Sequence, residues 1–433
     1  MHLLPFFSFL LLLLLPFSIA AGDPCAATPS ASGDIPLLHV NSKCSPFSFP
    51  PANPTLFDSV LELSRRVDPF RLSFLSSLAA SSVPVASGQH ILDSAIYILQ
   101  AGLGSPPHPL LLALDSAADA SFISAANFSS SSAQILPCSS PVCPLFNGQA
   151  CAAAAAAGPC IYNQSYGGDS SFSAALSQDS LILSRDTITS FIFGAVTAAA
   201  AGPSFPKHGL LGLGRGPISL LSQTSSLYHS VFSYCLPSYN SYYFSGSLRL
   251  GPARQPPRIH STPLLFNPHR PSLYYVNLTG VSVGRVPVAV PPRSFAFDPQ
   301  TGAGTVVDAG TVITRFVAPA YTAVRDEFRR QVNASGGYES LGAFDTCFST
   351  AVVGTAASPP AVTLHLEGLN LVLPAENALI HSSWRSLACL AMAPAPANVN
   401  AVVNVIASYQ QQNHRVLVDV PGGRVGFARE LCS

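Results

Sequence analysis

Two aspartates each close an apolar run and are followed by small residues. "LLLALDSAAD" brings its run to an end at Asp115, and "GTVVDAGTVITRF" does the same at Asp308. If the two segments sit at equivalent points of related lobes packed about a pseudo-twofold axis, the carboxylates meet at the seam. Two carboxylates a few ångströms apart do not both ionise readily. They share one proton, and their apparent pKa values separate. The ionised member can draw a proton from a water held between them, while the protonated member donates to a substrate carbonyl. That is hydrolysis by activated water, with no metal and no covalent intermediate.

The flanking segments supply strands to carry these residues. "AIYILQAGLG" (95–104) and "PLLLALDS" (109–116) have strand composition, and the "SPP" between them predicts a hairpin turn. "SLYYVNLTGVSVGRVPVAV" (272–290) reads as strand, glycine turn and strand, and leads to the second aspartate run. Each half therefore repeats one plan, a strand pair and then an apolar run ending at Asp. Helices are few. The spacing predicts one over 216–228, starting at Pro217, and one over 318–332 with Tyr321, Val324, Phe328 and Val332 on its apolar face.

The 433 residues exceed one simple core, and 48% are apolar against 10% charged, so the chain can bury two sizeable units. Lys plus Arg equals Asp plus Glu at 21 each, with no basic stripe, which argues against a nucleic-acid partner. Residues 1–21, with six consecutive leucines and a small-residue end, predict a secretory signal peptide rather than a stable membrane anchor. Residues 22–88 predict a propeptide or leader, with an ordered N-terminal extension as the alternative. Within it, "LFDSVLELSRRV" has Leu56, Val60, Leu63 and Val67 at helical spacing. The N-terminal β lobe is then expected over 89–265 and the C-terminal lobe over 266–433.

Ten cysteines fit an oxidising compartment, and neither CxxC nor paired histidines suggest a metal site. Cys138, Cys143, Cys151 and Cys160 cluster, and their connectivity is open. Asn127, Asn163, Asn277 and Asn333 head Asn-x-Ser/Thr sequons. The glycines of "GLLGLGRG" match no phosphate loop, and no GxSxG elbow is present.

From about residue 88 onward the chain resembles pepsin-like aspartic endopeptidases, of the plant branch that includes nepenthesin-like enzymes. The resemblance rests on the ordered set Asp115-Ser116-Ala117, "QSYGGDSSF", "HGLLGLGRGPISLLSQ", Asp308-Ala309-Gly310 and "HRVLVDVPGGRVGFARELC". It implies a mostly β, bilobal fold with a central cleft that receives an extended peptide or protein substrate. It also implies Asp115 and Asp308 as catalytic residues, Ser116 and Thr311 as their support, and Tyr166 as a flap tyrosine. Disulfides Cys235–Cys432 and Cys347–Cys389 are implied by the same match, with two more bridges before the flap. No cofactor is expected, and the protein is expected to be a monomer. Its destination is outside the cell, in the cell wall space, with the vacuole as the other candidate.

Three positions depart from the family pattern. Ala117 replaces a glycine at a close approach. Ala309 lacks the second cross-seam hydroxyl, and Ala118 lacks a hydroxyl for the outer oxygen of Asp115. Each missing hydrogen bond is worth about 0.5–1.5 kcal/mol net, enough to slow a reaction while leaving the pair in place. The competing expectation is a catalytically impaired binding or inhibitor protein on the same scaffold, as in plant xylanase inhibitors.

Overall fold

The computed structural model describes residues 33–40, 42, 44–45, 56–76, 97–127, 129–147, 156–165, 171–200, 209–238, 246–350, 359–382, 386–396 and 402–432. The signal-peptide expectation and the proposed leader boundary near residue 88 both fall outside this set.

The fold is mostly β and bilobal. In the first half, β1 is Ile35–His39, β2 is Tyr97–Leu103, β3 is His108–Asp115, β4 is Phe122–Ser124 and β5 is Gly209–Gly212. Val231–Cys235 and Gly246–Leu250 follow as β6 and β7. β2 and β3 pair antiparallel from Ile98↔Ala113 to Leu103↔His108, the hairpin that the "SPP" turn predicts. β3 runs parallel to β5, with Asp115 opposite Gly212, and β5 pairs antiparallel with β4.

The second half repeats this arrangement. Gly304–Val307 (β8) lies parallel to Val403–Ile406 (β10), which in turn meets Thr314–Phe316 (β9) antiparallel at Val405 and Arg315. The aspartate ends β3 in one half and directly follows β8 in the other. The repeat anticipated from the two apolar runs is thus a repeated three-strand layout. Both aspartate runs are almost wholly buried, which explains their continuous apolar character.

The halves are joined by the chain's closing strands, His414–Asp419 (β11) and Arg424–Arg429 (β12). β11 pairs with β6 of the first half, and β12 pairs with the strand His260–Leu265. Cys235 of β6 is bonded to Cys432, Cys347 to Cys389 and Cys143 to Cys160. Cys44 and Cys138 are also in disulfides, and Cys151 lies outside the described residues. Asp119 adds a further tie across the seam. It accepts from Gly216 N at 2.8 Å and from the Ser272 hydroxyl, while Arg215 Nη2 donates to Leu273 O at 2.7 Å.

The segment before residue 77 packs on this body. β1 is inserted between β2 and β7. Leu56–Arg66 (α1) and Asp68–Ser76 (α2) bury Phe57, Val60, Leu72 and Leu75, with Val67 buried between them and Leu63 only partly buried. The helix Ala318–Val332 (α3) forms where expected and buries Tyr321, Val324 and Phe328, while Val332 is only partly buried. The single helix expected over 216–228 is instead two short ones, Leu220–Gln223 and Ser225–Tyr228. The Ser219 hydroxyl caps the first by accepting from Ser222 N, so the helix starts after Pro217. Thr224 leaves helical geometry (φ −116°, ψ 21°), its hydroxyl bonded to Leu220 O at 2.6 Å, and breaks the run.

Candidate active site

Strands β3 and β8 deliver Asp115 and Asp308 to one buried point between the halves. Each main chain is fixed first. Asp115 O accepts from Leu213 N at 2.8 Å, and Asp308 N donates to Ile406 O at 3.1 Å. A Cβ on Gly212 would stand 2.6 Å from the carbonyl oxygens of Ala118 and Ala120, so only glycine lets β5 pass this close behind the Asp115 loop.

The side chains are then oriented. Asp115 Oδ1 accepts from the backbone amides of Ala117 at 2.9 Å and Ala118 at 3.2 Å. Thr311 Oγ1 donates to Asp308 Oδ2 at 2.7 Å. Ser116 Oγ donates to Asp308 Oδ1 at 2.9 Å and accepts from Ala309 N at 3.0 Å, so one hydroxyl crosses the seam twice. The alanines are absorbed as follows. The Ala118 amide gives Asp115 Oδ1 a second backbone donor beside Ala117 N. The backbone at Ala117 stays out of the left-handed region, and its methyl joins a cluster that includes Leu72 and Leu75 of α2.

The decisive feature is Arg71, on α2. Its Nε donates to Asp308 Oδ2 at 2.9 Å and its Nη2 to Asp308 Oδ1 at 2.5 Å. The same Nη2 reaches Asp115 Oδ1 at 2.9 Å, and Nη1 reaches Asp115 Oδ2 at 3.2 Å. The two carboxylates share one nitrogen, which sets them no further apart than two hydrogen bonds. All three groups are at most 3% exposed. Burial works against the Arg71 charge, but the two carboxylates outweigh it and hold its pKa above the ordinary arginine range. A Cβ on Gly310 would lie 2.8 Å from Arg71 Nη2, so that glycine leaves room for the guanidinium.

Three further residues escaped the sequence reading. Gln411 Nε2 donates to Asp308 O at 3.1 Å and to Ile406 O at 2.7 Å, and its Oε1 accepts from Tyr234 OH at 2.5 Å. Gln410 Oε1 accepts from Thr314 N at 2.8 Å. A run of three glutamines (410–412) in a chain so poor in charge was the available signal. Asp68, one turn before Arg71, accepts from Val312 N at 2.8 Å and pairs with Arg315 at 3.0 Å.

Tyr166 lies outside the described residues. The strands that flank it in sequence, Ile161–Ser165 and Ser171–Leu183, pair antiparallel. Asn163 and Asn333 are exposed, Asn277 is half-buried with its amide on Glu367, and Asn127 ends a 3-10 turn.

The sequence profile described as xylanase inhibitor N-terminal matches residues 97–252, and that described as xylanase inhibitor C-terminal matches 273–429. Aspartyl protease 25 of Oryza sativa subsp. japonica is 55% identical over 88% of this chain and 93% of its own length. The chain belongs to the plant aspartyl protease family. Aspartyl protease AED3 of Arabidopsis thaliana is 50% identical over 99% of this chain and 98% of its own. Aspartic proteinase nepenthesin-1 of Nepenthes gracilis is 31% identical over 78% of each. Among solved structures, EDGP superposes with a TM-score of 0.64 at 22% identity, covering 78% of this chain and 93% of that one. Conglutin gamma, a basic 7S globulin from lupine seeds, gives 0.62 at 18%, covering 78% and 94%. These two share the pepsin-like fold of this aspartyl protease family member.

Proposed function

We propose that this chain is the precursor of a secreted aspartic endopeptidase, kept inactive by its own residues 22–88 until they are removed. The reading rests on the Arg71 guanidinium bridging Asp115 and Asp308, in the space a water and a scissile carbonyl would need. Cleavage of the leader lets a water take its place. The ionised carboxylate then draws a proton from that water, and its protonated neighbour donates to the peptide carbonyl. Ser116 and Thr311 hold the Asp308 oxygens during this exchange, and Tyr166 closes a flap over the substrate. With no hydroxyl at Ala118 or Ala309, the pair is held by fewer side-chain donors and the enzyme turns over slowly. Protonating either carboxylate removes part of the charge that holds Arg71, which suits activation in an acidic cell wall space. Asn163 and Asn333 are open to glycosylation on export.

The test is to express the full chain, acidify it, and follow leader loss and peptide hydrolysis together. Hydrolysis should appear as the leader is lost and be absent in Asp308→Ala. Activity unchanged by that substitution would refute the reading. An inhibitor role is not favoured, because both carboxylates are present and jointly oriented.

A further inference from the structure

We infer that Arg315, with the backbone amides of Val312 and Ile313, forms a carboxylate-binding subsite that selects substrates bearing an acidic side chain near the cleaved bond. This rests on the reading of residues 22–88 as a removable leader on an aspartic protease. The leader itself displays the ligand chemistry. Asp68 Oδ1 accepts from Val312 N at 2.8 Å, and Oδ2 accepts from Ile313 N at 3.4 Å and from Arg315 Nε and Nη2, each at 3.0 Å. Charged and backbone donors thus converge on one carboxylate, a geometry suited to any Asp or Glu presented from the same direction.

The surroundings show what is left when the leader goes. Arg315 Nη2 also donates to Ser64 O at 2.7 Å, another leader atom, whereas Nη1 donates to Pro394 O at 3.1 Å in the body. Loss of the leader removes Asp68 and Ser64 together but keeps the Pro394 bond. The guanidinium therefore stays anchored and faces the vacated space. Arg315 is 3% exposed in the precursor, and a buried guanidinium stripped of its carboxylate is costly, so a replacement anion is favoured there.

Position relates this subsite to the chemistry. Asp68 and Arg71 lie on one turn of α2, so their side chains start about 5–6 Å apart. Arg71 marks the catalytic pair. In an extended peptide, side chains on one face recur about every 6.6–7 Å, two residues apart. A substrate carboxylate within about two residues of the cleaved bond therefore reaches Arg315.

The experiment uses leader-free protein obtained by acidifying the full chain, in wild-type, Arg315→Gln and Arg315→Lys forms. Internally quenched peptides carry Glu or Gln at each position around the cleaved bond, and a third set ends in a free carboxylate there. At pH 6.5, where a carboxylate at this site is ionised, wild type should favour Glu over Gln about tenfold in kcat/KM at one position. The preference should vanish in Arg315→Gln and persist in part in Arg315→Lys. Preference for the free terminus instead of Glu would overturn the side-chain assignment. Equal cleavage of Glu and Gln peptides by wild type, or a Glu preference that survives Arg315→Gln, would overturn the inference while leaving the protease reading intact. Should no peptide be cleaved, titration calorimetry with the same Glu and Gln peptides decides it. Arg315-dependent binding of the Glu peptide supports the subsite even if the protease reading falls, and equal or absent binding refutes it.

Discussion

Arg71 and Asp308 are 237 positions apart in the chain, yet two hydrogen bonds of 2.9 and 2.5 Å join them side by side. A cation from the N-terminal segment thereby completes the buried charge of a pair assembled from two different strands.

Replacing Arg71 with Met leaves the two carboxylates facing each other without a counterion. Breaking one side of such a buried ion pair costs about 3–5 kcal/mol, here in docking of α2 rather than in the lobes. The uncut precursor of this variant should hydrolyse a peptide at least about tenfold faster than the uncut wild type. Equal rates, measured alongside a gel showing both chains intact, would mean that Arg71 does not block the site.

The Ser116 hydroxyl makes two hydrogen bonds across the seam, to Asp308 Oδ1 and from Ala309 N. Ser116→Ala should lower kcat about tenfold with little change in KM, and lower stability by about 1–2 kcal/mol. Ser116→Thr should recover most of the rate. A stability loss with normal kcat and an unaltered pH profile would reduce Ser116 to packing.

Besides the Asp115–Asp308 pair, two opposed groups make docking of the N-terminal segment respond to acid. Burial lowers the pKa of His39, on β1 and edge-on to Tyr97, to about 3. A released His39 takes up a proton below about 6.5, whereas the docked one does not. Docking of β1 is thus favoured at neutral pH and weakens as pH falls from 6.5 towards 3, by at most about 1.4 kcal/mol per pH unit. Asp68 acts in the other direction. Burial pushes it up to about 6, against the pull of Arg315 and the Val312 and Ile313 amides. The docked form therefore gains a proton between about 6 and 4 that a free carboxylate declines, which strengthens docking there. His39→Gln should flatten the acid loss of precursor stability in urea titrations at pH 7 to 4, and Asp68→Asn should steepen it. The opposite pair of slopes would refute both assignments.

Glu430 pairs with the fully buried Arg415, and hydrogen bonds from Arg415 hold its carboxyl below the usual glutamate range. Its stabilising effect is complete above about pH 4.5 and is lost as pH falls through the depressed value. Glu430→Gln should cost about 1–2 kcal/mol in chemical denaturation at pH 7, allowing for its partial exposure, and much less at pH 3.

The aspartates were legible because an apolar run that stops at Asp before small residues has few structural explanations, and because the motif occurs twice. The β2–β3 pair was legible from its composition and the "SPP" turn, and α3 from the spacing of its three buried face positions. Arg71 was not. It sits in a segment with no counterpart in the repeat, and its partners lie 44 and 237 positions away. Spacing within the segment carries no trace of them. The Ala118 position shows a second limit. A missing hydroxyl is visible in sequence, but the backbone amide by which the same residue still holds Asp115 is not. Gln411 illustrates a third, since its amide fixes the carbonyl of Asp308 rather than any side chain that a motif would include.

The pairing of β11 with β6 also has a bearing on biosynthesis. The ribosome makes β6 well before β11, and Cys235 is 197 positions ahead of the cysteine that locks it, with the second lobe made in between. A nascent chain must therefore shelter an open sheet edge and a free thiol while the second lobe is made, which makes the synthesis of β11 and Cys432 a checkpoint for the half of the molecule made before them.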